Sequence, residues 1–236
     1  LKYTLLFLQN FRFVSLKIPK LRYEKHSATD PSNRPMSNSD ERTEHMRQIR
    51  DDVLNFKESP LYEDRVKNRY YPVIGQGSHR AAIMLIGEAP GKNEALTSKP
   101  FSGSAGKILD ELLGSVGILR ENIYITNILK DRPPMNRDPL PNEISAYAPF
   151  LDRQIDIIQP KVIATLGRFS MGYIMEKFGL LEELRPISVI HGKIFTAGTP
   201  YGDITIIPLY HPAAAIYNPN TKEVQLNDIK TLKQYA

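Results

Sequence analysis

The fold is decided by a stretch that reads AAIMLIGEAPG over residues 81–91 and PFSGSAGKILDELL over residues 100–113. Its short apolar run, residues 82–86, is typical of a strand that is buried on both faces. Glu88 comes directly after this strand, at the sheet edge where open parallel folds bind their ligands. Apolar residues then recur at helical spacing over residues 105–113, which predicts a helix.

Three more apolar segments predict strands, and amphipathic segments predict the helices that connect them. The strands are expected at residues 122–129, 161–166 and 204–209. Helices are expected from residue 38 towards residue 56, at 142–158, from residue 167 onward and at 222–235. This alternation of strands and helices indicates an α/β fold, in which helices cover both faces of a parallel sheet.

The composition limits the classes of protein that the chain can represent. Its 236 residues, of which 41% are apolar, suffice for one domain or for one domain with an appendage. The absence of cysteine excludes a structural disulfide, a thiolate zinc site and a cysteine-bound iron–sulfur cluster. No apolar run is long enough to span a membrane, and we expect a protein of the prokaryotic cytoplasm or nucleoid.

The positive charge of the chain is unevenly distributed. The net charge of +5 lies entirely within residues 1–35, and acidic and basic residues balance from Met36 onward. We predict that residues 1–35 are a basic, poorly ordered extension and that residues 36–236 form the folded domain. Met36 is a plausible natural start, and the alternative is that the extension is a basic arm that holds DNA.

Polar residues follow each of the four predicted strands. They are Glu88, Asn127, the Gly167-Arg168 pair and His211. Because strand ends of a parallel sheet meet at one edge, we expect these side chains to share a cleft with Phe101. Asparagine suits the edge of a nucleobase, phenylalanine offers a stacking face, histidine can donate to a developing anion and glutamate can activate water.

Each of these residues also has an ordinary structural interpretation. A histidine before a proline is often a structural residue, an asparagine can cap a turn, a glutamate after a strand can be an exposed turn residue, and a phenylalanine can belong to the core. Their joint placement at the strand ends favours a functional site. The chemistry of that site suits hydrolysis of the bond between a base and its sugar.

Six ordered motifs resemble those of the family 4 uracil-DNA glycosylases. They are GEAPG at 87–91 with Glu94, PFSGSAG at 100–106, TNILK at 126–130, RPPMNR at 132–137, LGR at 166–168 and HPA at 211–213. The resemblance covers roughly residues 46–235. It implies a uracil-DNA glycosylase-like three-layer α/β/α sandwich with a central four-stranded parallel sheet, and removal of uracil from deaminated DNA.

The resemblance also implies a role for individual residues. Glu88 corresponds to the water-activating acid and His211 to the residue that stabilises the leaving uracil anion, so these two are predicted to be catalytic. The predicted substrate-binding residues are Gly87, Ala89, Phe101, which would stack on the flipped base, and Asn127, which would read its edge. Residues 213–217 correspond to the loop that enters the duplex, with Ile216 or Tyr217 as its wedge.

Uracil-containing DNA is the expected partner, bound by a monomer. The predicted phosphate contacts are Lys130, Arg132, Arg137 and Arg168, together with Ser104 in the segment 103–106, whose backbone amides open a helix. The alternative for each basic residue is an ordinary solvated position.

One departure from the family concerns its four cysteines, which hold a 4Fe-4S cluster. The surrounding motifs align those positions with Phe56, Ser59, Asp131 and Tyr147. None of these side chains supplies a thiolate, so the resemblance implies a variant without cluster or metal cofactor.

The sequence therefore predicts a monofunctional glycosylase that releases uracil and leaves an abasic site without cutting the strand. Two alternatives stay open. The first is a glycosylase for another deaminated base, such as hypoxanthine or xanthine. The second is a non-catalytic DNA-binding protein derived from the family.

Overall fold

The computed structural model describes residues 38–236, and the predicted basic extension at residues 1–35 lies outside them. The strands are β1 (Gln76–Gly77), β2 (Ile83–Gly87), β3 (Tyr124–Asn127), β4 (Val162–Leu166), β5 (Phe195–Thr199) and β6 (Gly202–Leu209). The helices are α1 (Asn38–Leu54), α2 (Tyr62–Asn68), α3 (Lys92–Thr97), α4 (Ser104–Ser115), α5 (Pro141–Ile158), α6 (Arg168–Lys177), α7 (Ile187–Ile190), α8 (Ala214–Tyr217) and α9 (Asn220–Asp228). A final 3₁₀ segment covers Ile229–Tyr235.

The six strands form one mixed sheet in the order β1-β3-β2-β4-β6-β5. The four central strands are parallel to one another, as the sequence predicts. The two edge strands pair antiparallel with their neighbours and were not predicted. The expected four-stranded parallel sheet is therefore present as the centre of a wider sheet.

The alternation of side chains along β2 explains the three layers. Met84 and Ile86 pack into a core shared with α1, α5 and α6. Ile83 and Leu85 point to the opposite face and pack against α4 and the carboxyl-terminal segment. Since all five residues of β2 are buried, the strand is apolar throughout, as is usual for a parallel sheet covered on both faces.

Other element boundaries differ from the prediction in detail. The second predicted strand is shorter, because residues 128–130 leave the sheet as a turn that stays hydrogen-bonded to the end of β2. The proline-rich loop between β3 and α5 contains one 3₁₀ turn at Pro134–Asn136. The closing helix ends at Asp228 and continues as the 3₁₀ segment.

No helix within residues 38–236 has the length and apolar character needed to cross a membrane.

Candidate active site

Glu88 stands at the carboxyl end of β2, and its backbone carbonyl accepts a hydrogen bond from the N–H of Leu129 at 3.1 Å. Its side chain is half-buried at the wall of a cleft. Burial, and to a lesser extent the charge of Asp138, raises the pKa of Glu88 to about 7, although Arg168 opposes the rise. A carboxyl group with this pKa exchanges a proton near neutral pH, as a general base must.

Asn127 ends the neighbouring strand, and its Cα pairs in register with that of Gly87. Its side chain is 2% exposed, and within the described residues its amide makes no hydrogen bond to the protein. A Cβ atom on Gly87 would collide with Oδ1 of Asn127 and would lie 2.8 Å from Cζ of Phe101. Glycine at this position therefore lets the amide and the aromatic ring approach each other across the end of β2.

Phe101 is held in an unusual backbone conformation, with a φ of 50°. Its carbonyl lies against Gly106, where a Cβ atom would overlap it. The guanidinium of Arg120 donates hydrogen bonds to the carbonyls of Pro100 at 2.8 Å and Phe101 at 3.1 Å. These contacts hold the left-handed conformation in place, and the ring centroid lies 5.7 Å from that of His211 at an interplanar angle of 32°.

His211 follows β6, and its Nδ1 accepts a hydrogen bond from the backbone N–H of Ala213 at 3.2 Å. An acceptor nitrogen carries no proton, so in the neutral ring the proton is on Nε2, which is then a donor. Burial lowers the pKa of His211 to about 4, and the charge of Glu94 only partly opposes this effect. His211 is therefore a neutral hydrogen-bond donor at physiological pH.

These side chains border one cleft of about 540 Å³. Its lining includes Glu88, Ala89, Phe101, Ser104, Asn127, Arg137, His211 and Tyr217. Gly87, which was predicted to bind substrate, does not line the cleft. The cleft thus brings together a potential base, an aromatic face, a free amide and a neutral imidazole, which is the combination expected from the strand ends.

The family model described as "Uracil DNA glycosylase superfamily" matches residues 74–233. The chain belongs to the uracil-DNA glycosylase superfamily. The chain is 42% identical over 192 residues to a protein named type-4 uracil-DNA glycosylase from Sulfurisphaera tokodaii, covering 81% of this chain and 84% of that one. The protein of the same name from Saccharolobus solfataricus is 43% identical, over 79% of this chain and 84% of its own length. The one from Archaeoglobus fulgidus is 40% identical, over 77% of this chain and 88% of its own length. The resemblance inferred from the motifs is confirmed, and with it the fold class.

Glu94 also lines the cleft, although the sequence assigned it no role beyond its place in a motif. Its buried carboxylate accepts a hydrogen bond from the backbone N–H of Gly103 at 2.9 Å. A Cβ atom on Gly91 would lie 2.7 Å from the same carboxylate. Glu94 therefore fastens α3 to the loop that carries Phe101. The sequence indicates Glu94 only by its position six residues after Glu88.

The prediction that Lys130 contacts a phosphate is wrong for this structure. The Lys130 side chain is 0% exposed, and its Nζ donates to three acceptors inside the protein. A lysine that is enclosed behind β3 cannot reach a DNA backbone.

The three predicted phosphate-binding arginines lie at the surface, but each already has a partner. Arg137 forms a bidentate pair with Glu143 at 2.9 and 2.5 Å, and Arg168 pairs with Asp138. Arg132 donates to the hydroxyl of Tyr70 at 2.8 Å and to the side-chain oxygen of Asn136 at 2.7 Å. Their contact with DNA stays a prediction, and it requires the phosphate to share or replace these partners.

The predicted duplex-entering loop coincides with α8. Ile216 is 45% exposed and Tyr217 is 87% exposed, and of these two candidate wedges Tyr217 lines the cleft, as does Ala213 at the start of the loop. Ser104 is exposed at the first residue of α4, and its position also stays compatible with the predicted phosphate contact.

The four positions that the family 4 resemblance aligns with cluster cysteines lie close together and are filled by packing and hydrogen bonds. The rings of Phe56 and Tyr147 meet edge to face with centroids 5.7 Å apart. The hydroxyl of Tyr147 lies 2.5 Å from Oγ of Ser59 and donates to Asp131 at 2.5 Å, and Arg65 pairs with Asp131 at 3.1 Å. These residues do not fit an iron–sulfur cluster, because they occupy its space and offer oxygen atoms that are already bonded.

Proposed function

We propose that this protein excises uracil from DNA by hydrolysing the N-glycosidic bond, so that an abasic site remains. The observation that carries the proposal is the shared cleft of Glu88, Phe101, Asn127 and His211. Its second support is the name of the relatives, type-4 uracil-DNA glycosylase.

Glu88 is the proposed base. The bond between C1′ of the sugar and N1 of uracil breaks, and its electron pair leaves with the base. A water molecule adds to C1′, and Glu88 takes the proton that this water loses. Because the pKa of Glu88 is raised to about 7, the carboxylate is a better proton acceptor than an exposed glutamate would be.

The other three side chains act on the base. A nucleotide that leaves the stack can place its base against the ring of Phe101, while the amide of Asn127 offers a donor and an acceptor to the base edge. The neutral His211 donates from Nε2 to an oxygen of the departing uracil anion. A neutral donor serves this purpose without becoming acidic enough to be deprotonated by the anion.

Strand cleavage is not expected, because water supplies the nucleophile and no amine is needed to form a Schiff base with the sugar. We further propose that the protein works as a monomer on DNA in the cytoplasm or nucleoid, and that its positive surface residues make binding sensitive to salt.

The test is a gel assay on a labelled oligonucleotide that contains one uracil, in single-stranded and in double-stranded form. Cutting is expected only after treatment with alkali, which marks an abasic product. Asn127→Ala should abolish uracil release, whereas Asn55→Ala, which changes an exposed residue that does not line the cleft, should leave it intact.

Three results would overturn the proposal or a part of it. Absence of cutting by the folded protein on both substrates would exclude uracil excision, and cutting without alkali would exclude a monofunctional mechanism. Unchanged uracil release by Asn127→Ala would refute the assignment of the cleft.

A further inference from the structure

Lys130 is a buried amine for which the proposed reaction has no role. Its Nζ lies 2.7 Å from the backbone carbonyl of Asn127, 2.6 Å from Oε1 of Gln154 and 2.8 Å from Oγ1 of Thr126. No carboxylate within the described residues forms an ion pair with it, since the adjacent Asp131 pairs with Arg65. Buried charges are usually paired, so an unpaired lysine at this place requires an explanation.

The surrounding hydrogen bonds indicate which form of the amine they accommodate. The amide nitrogen of Gln154 donates to the carbonyl of Ile74 at 2.8 Å and to the hydroxyl of Tyr124 at 3.2 Å, which turns its oxygen towards Lys130. The hydroxyl of Thr126 donates to the same carbonyl of Ile74 at 2.7 Å, so its oxygen is left to accept. The carbonyl of Asn127 can only accept.

Three acceptors thus surround Nζ, and only a charged ammonium has three N–H groups to match them. Burial acts in the opposite direction and lowers the pKa of Lys130 well below its usual range. The hydrogen bonds oppose this effect, because each of them stabilises the charged form. The geometry therefore favours an ammonium that is fully hydrogen-bonded but lacks a counter-charge.

The position of this charge connects it to the cleft. Its contact with the carbonyl of Asn127 fixes the peptide that ends β3, directly behind the amide proposed to read the base. Leu129, one residue before Lys130, donates to the carbonyl of Glu88, so the same turn is also tied to the end of β2. In a site shielded from water, a fixed positive charge acts on a developing anion more strongly than it would in solution.

We propose that Lys130 is a positioning residue for base excision, whose ammonium fixes Asn127 and stabilises, across that residue, the negative charge that develops on the departing base. The inference rests on the proposed function. It adds a source of electrostatic stabilisation that does not touch the substrate and that is independent of His211.

The test compares two leaving groups in one variant. Oligonucleotides containing uracil or 5-fluorouracil are processed under single-turnover conditions by the parent protein and by Lys130→Met. The fluorine stabilises the departing anion, so 5-fluorouracil depends less on the charge of the protein. We expect Lys130→Met to slow uracil release about 10-fold, which is less than the roughly 10²-fold loss typical when a direct hydrogen-bond donor is removed. We expect the same variant to slow 5-fluorouracil release only about 3-fold.

The matched control is Tyr124→Phe, which removes one hydrogen bond of the Gln154 amide but leaves all three acceptors of Lys130 in place. It should leave the ratio of the two rates at the value of the parent, even where it lowers stability. Lys130→Gln removes the charge but retains a donor, so it should change the ratio in the same direction as Lys130→Met. This second variant serves where Lys130→Met fails to fold.

The outcomes separate the inference from the function on which it rests. If Lys130→Met slows the release of uracil and of 5-fluorouracil equally, Lys130 has only a structural role and the inference is overturned. An unchanged rate of uracil release by this variant would also overturn it. A parent protein that releases neither base would instead overturn the proposed function.

Discussion

Gly87→Ala is the substitution that most directly tests the geometry of the cleft. The new Cβ atom would collide with Oδ1 of Asn127 and lie 2.8 Å from Cζ of Phe101, whereas ordinary contacts begin at 3.4 Å. The ring and the amide would both have to retreat by several tenths of an ångström or more. Since a misplacement of about 1 Å can reduce a rate about 10²-fold, we expect kcat/KM for uracil release to fall roughly 10²-fold, or about 2.7 kcal/mol.

The assay is release of uracil from a labelled oligonucleotide at several enzyme concentrations, with alkali to reveal the product. Overpacking near a buried strand also costs about 1–3 kcal/mol of stability, so thermal unfolding must show that the variant is folded at the assay temperature. Gly114→Ala is the matched control. A Cβ atom at Gly114 meets nothing within 4 Å, so this variant should retain full activity and gain about 0.5–1 kcal/mol of stability within α4.

The reasoning would be refuted if folded Gly87→Ala retained kcat/KM close to that of the parent. Such a result would mean that the amide of Asn127 and the ring of Phe101 need not hold their positions for excision.

Three further predictions concern proton transfer and stability. Asp138→Asn should move the acid limb of the pH–rate profile from about pH 7 to lower pH, because the charge of Asp138 helps to raise the pKa of Glu88. If the limb measured by kinetic titration does not move, Glu88 is not the base. His211→Ala should lower kcat about 10²–10³-fold without moving this limb, since the pKa of His211 is only about 4. A shift of the limb in the same pH–rate profiles would contradict the role of His211 as a neutral donor. Tyr147→Phe should lower the free energy of unfolding by about 1–3 kcal/mol, because Asp131 loses a buried hydrogen bond, and it should leave activity unchanged. Urea unfolding measures the stability and the oligonucleotide assay measures the activity. An undiminished stability would contradict the hydrogen-bond network around Asp131.

The central sheet was predictable because its strands are buried on both faces. Each is a run of apolar residues long enough to be recognised, and each is followed by a polar residue at the sheet edge. The edge strands give weaker signals. β1 has two residues, Gln76 and Gly77, and β5 contains Gly198 and is buried mainly at Ala197, so neither has the pattern of a core strand.

The candidate site was predictable to the extent that it lies at strand ends. Glu88, Asn127 and His211 follow strands whose parallel arrangement brings them together. Lys130 was misread because a lysine beside a proline-rich loop usually faces solvent. Its acceptor on Gln154 comes from α5, 24 residues away, and no local pattern indicates that the chain will fold around the amine.

The hydrogen-bond network that joins Ser59, Tyr147, Asp131 and Arg65 affects how the protein matures and how it resists oxidation. Oxygen-based hydrogen bonds assemble as the chain folds and need neither imported iron nor an assembly apparatus. They also contain no sulfur that peroxide can oxidise. This part of the fold should therefore mature equally well in iron-starved cells, and peroxide should not damage it.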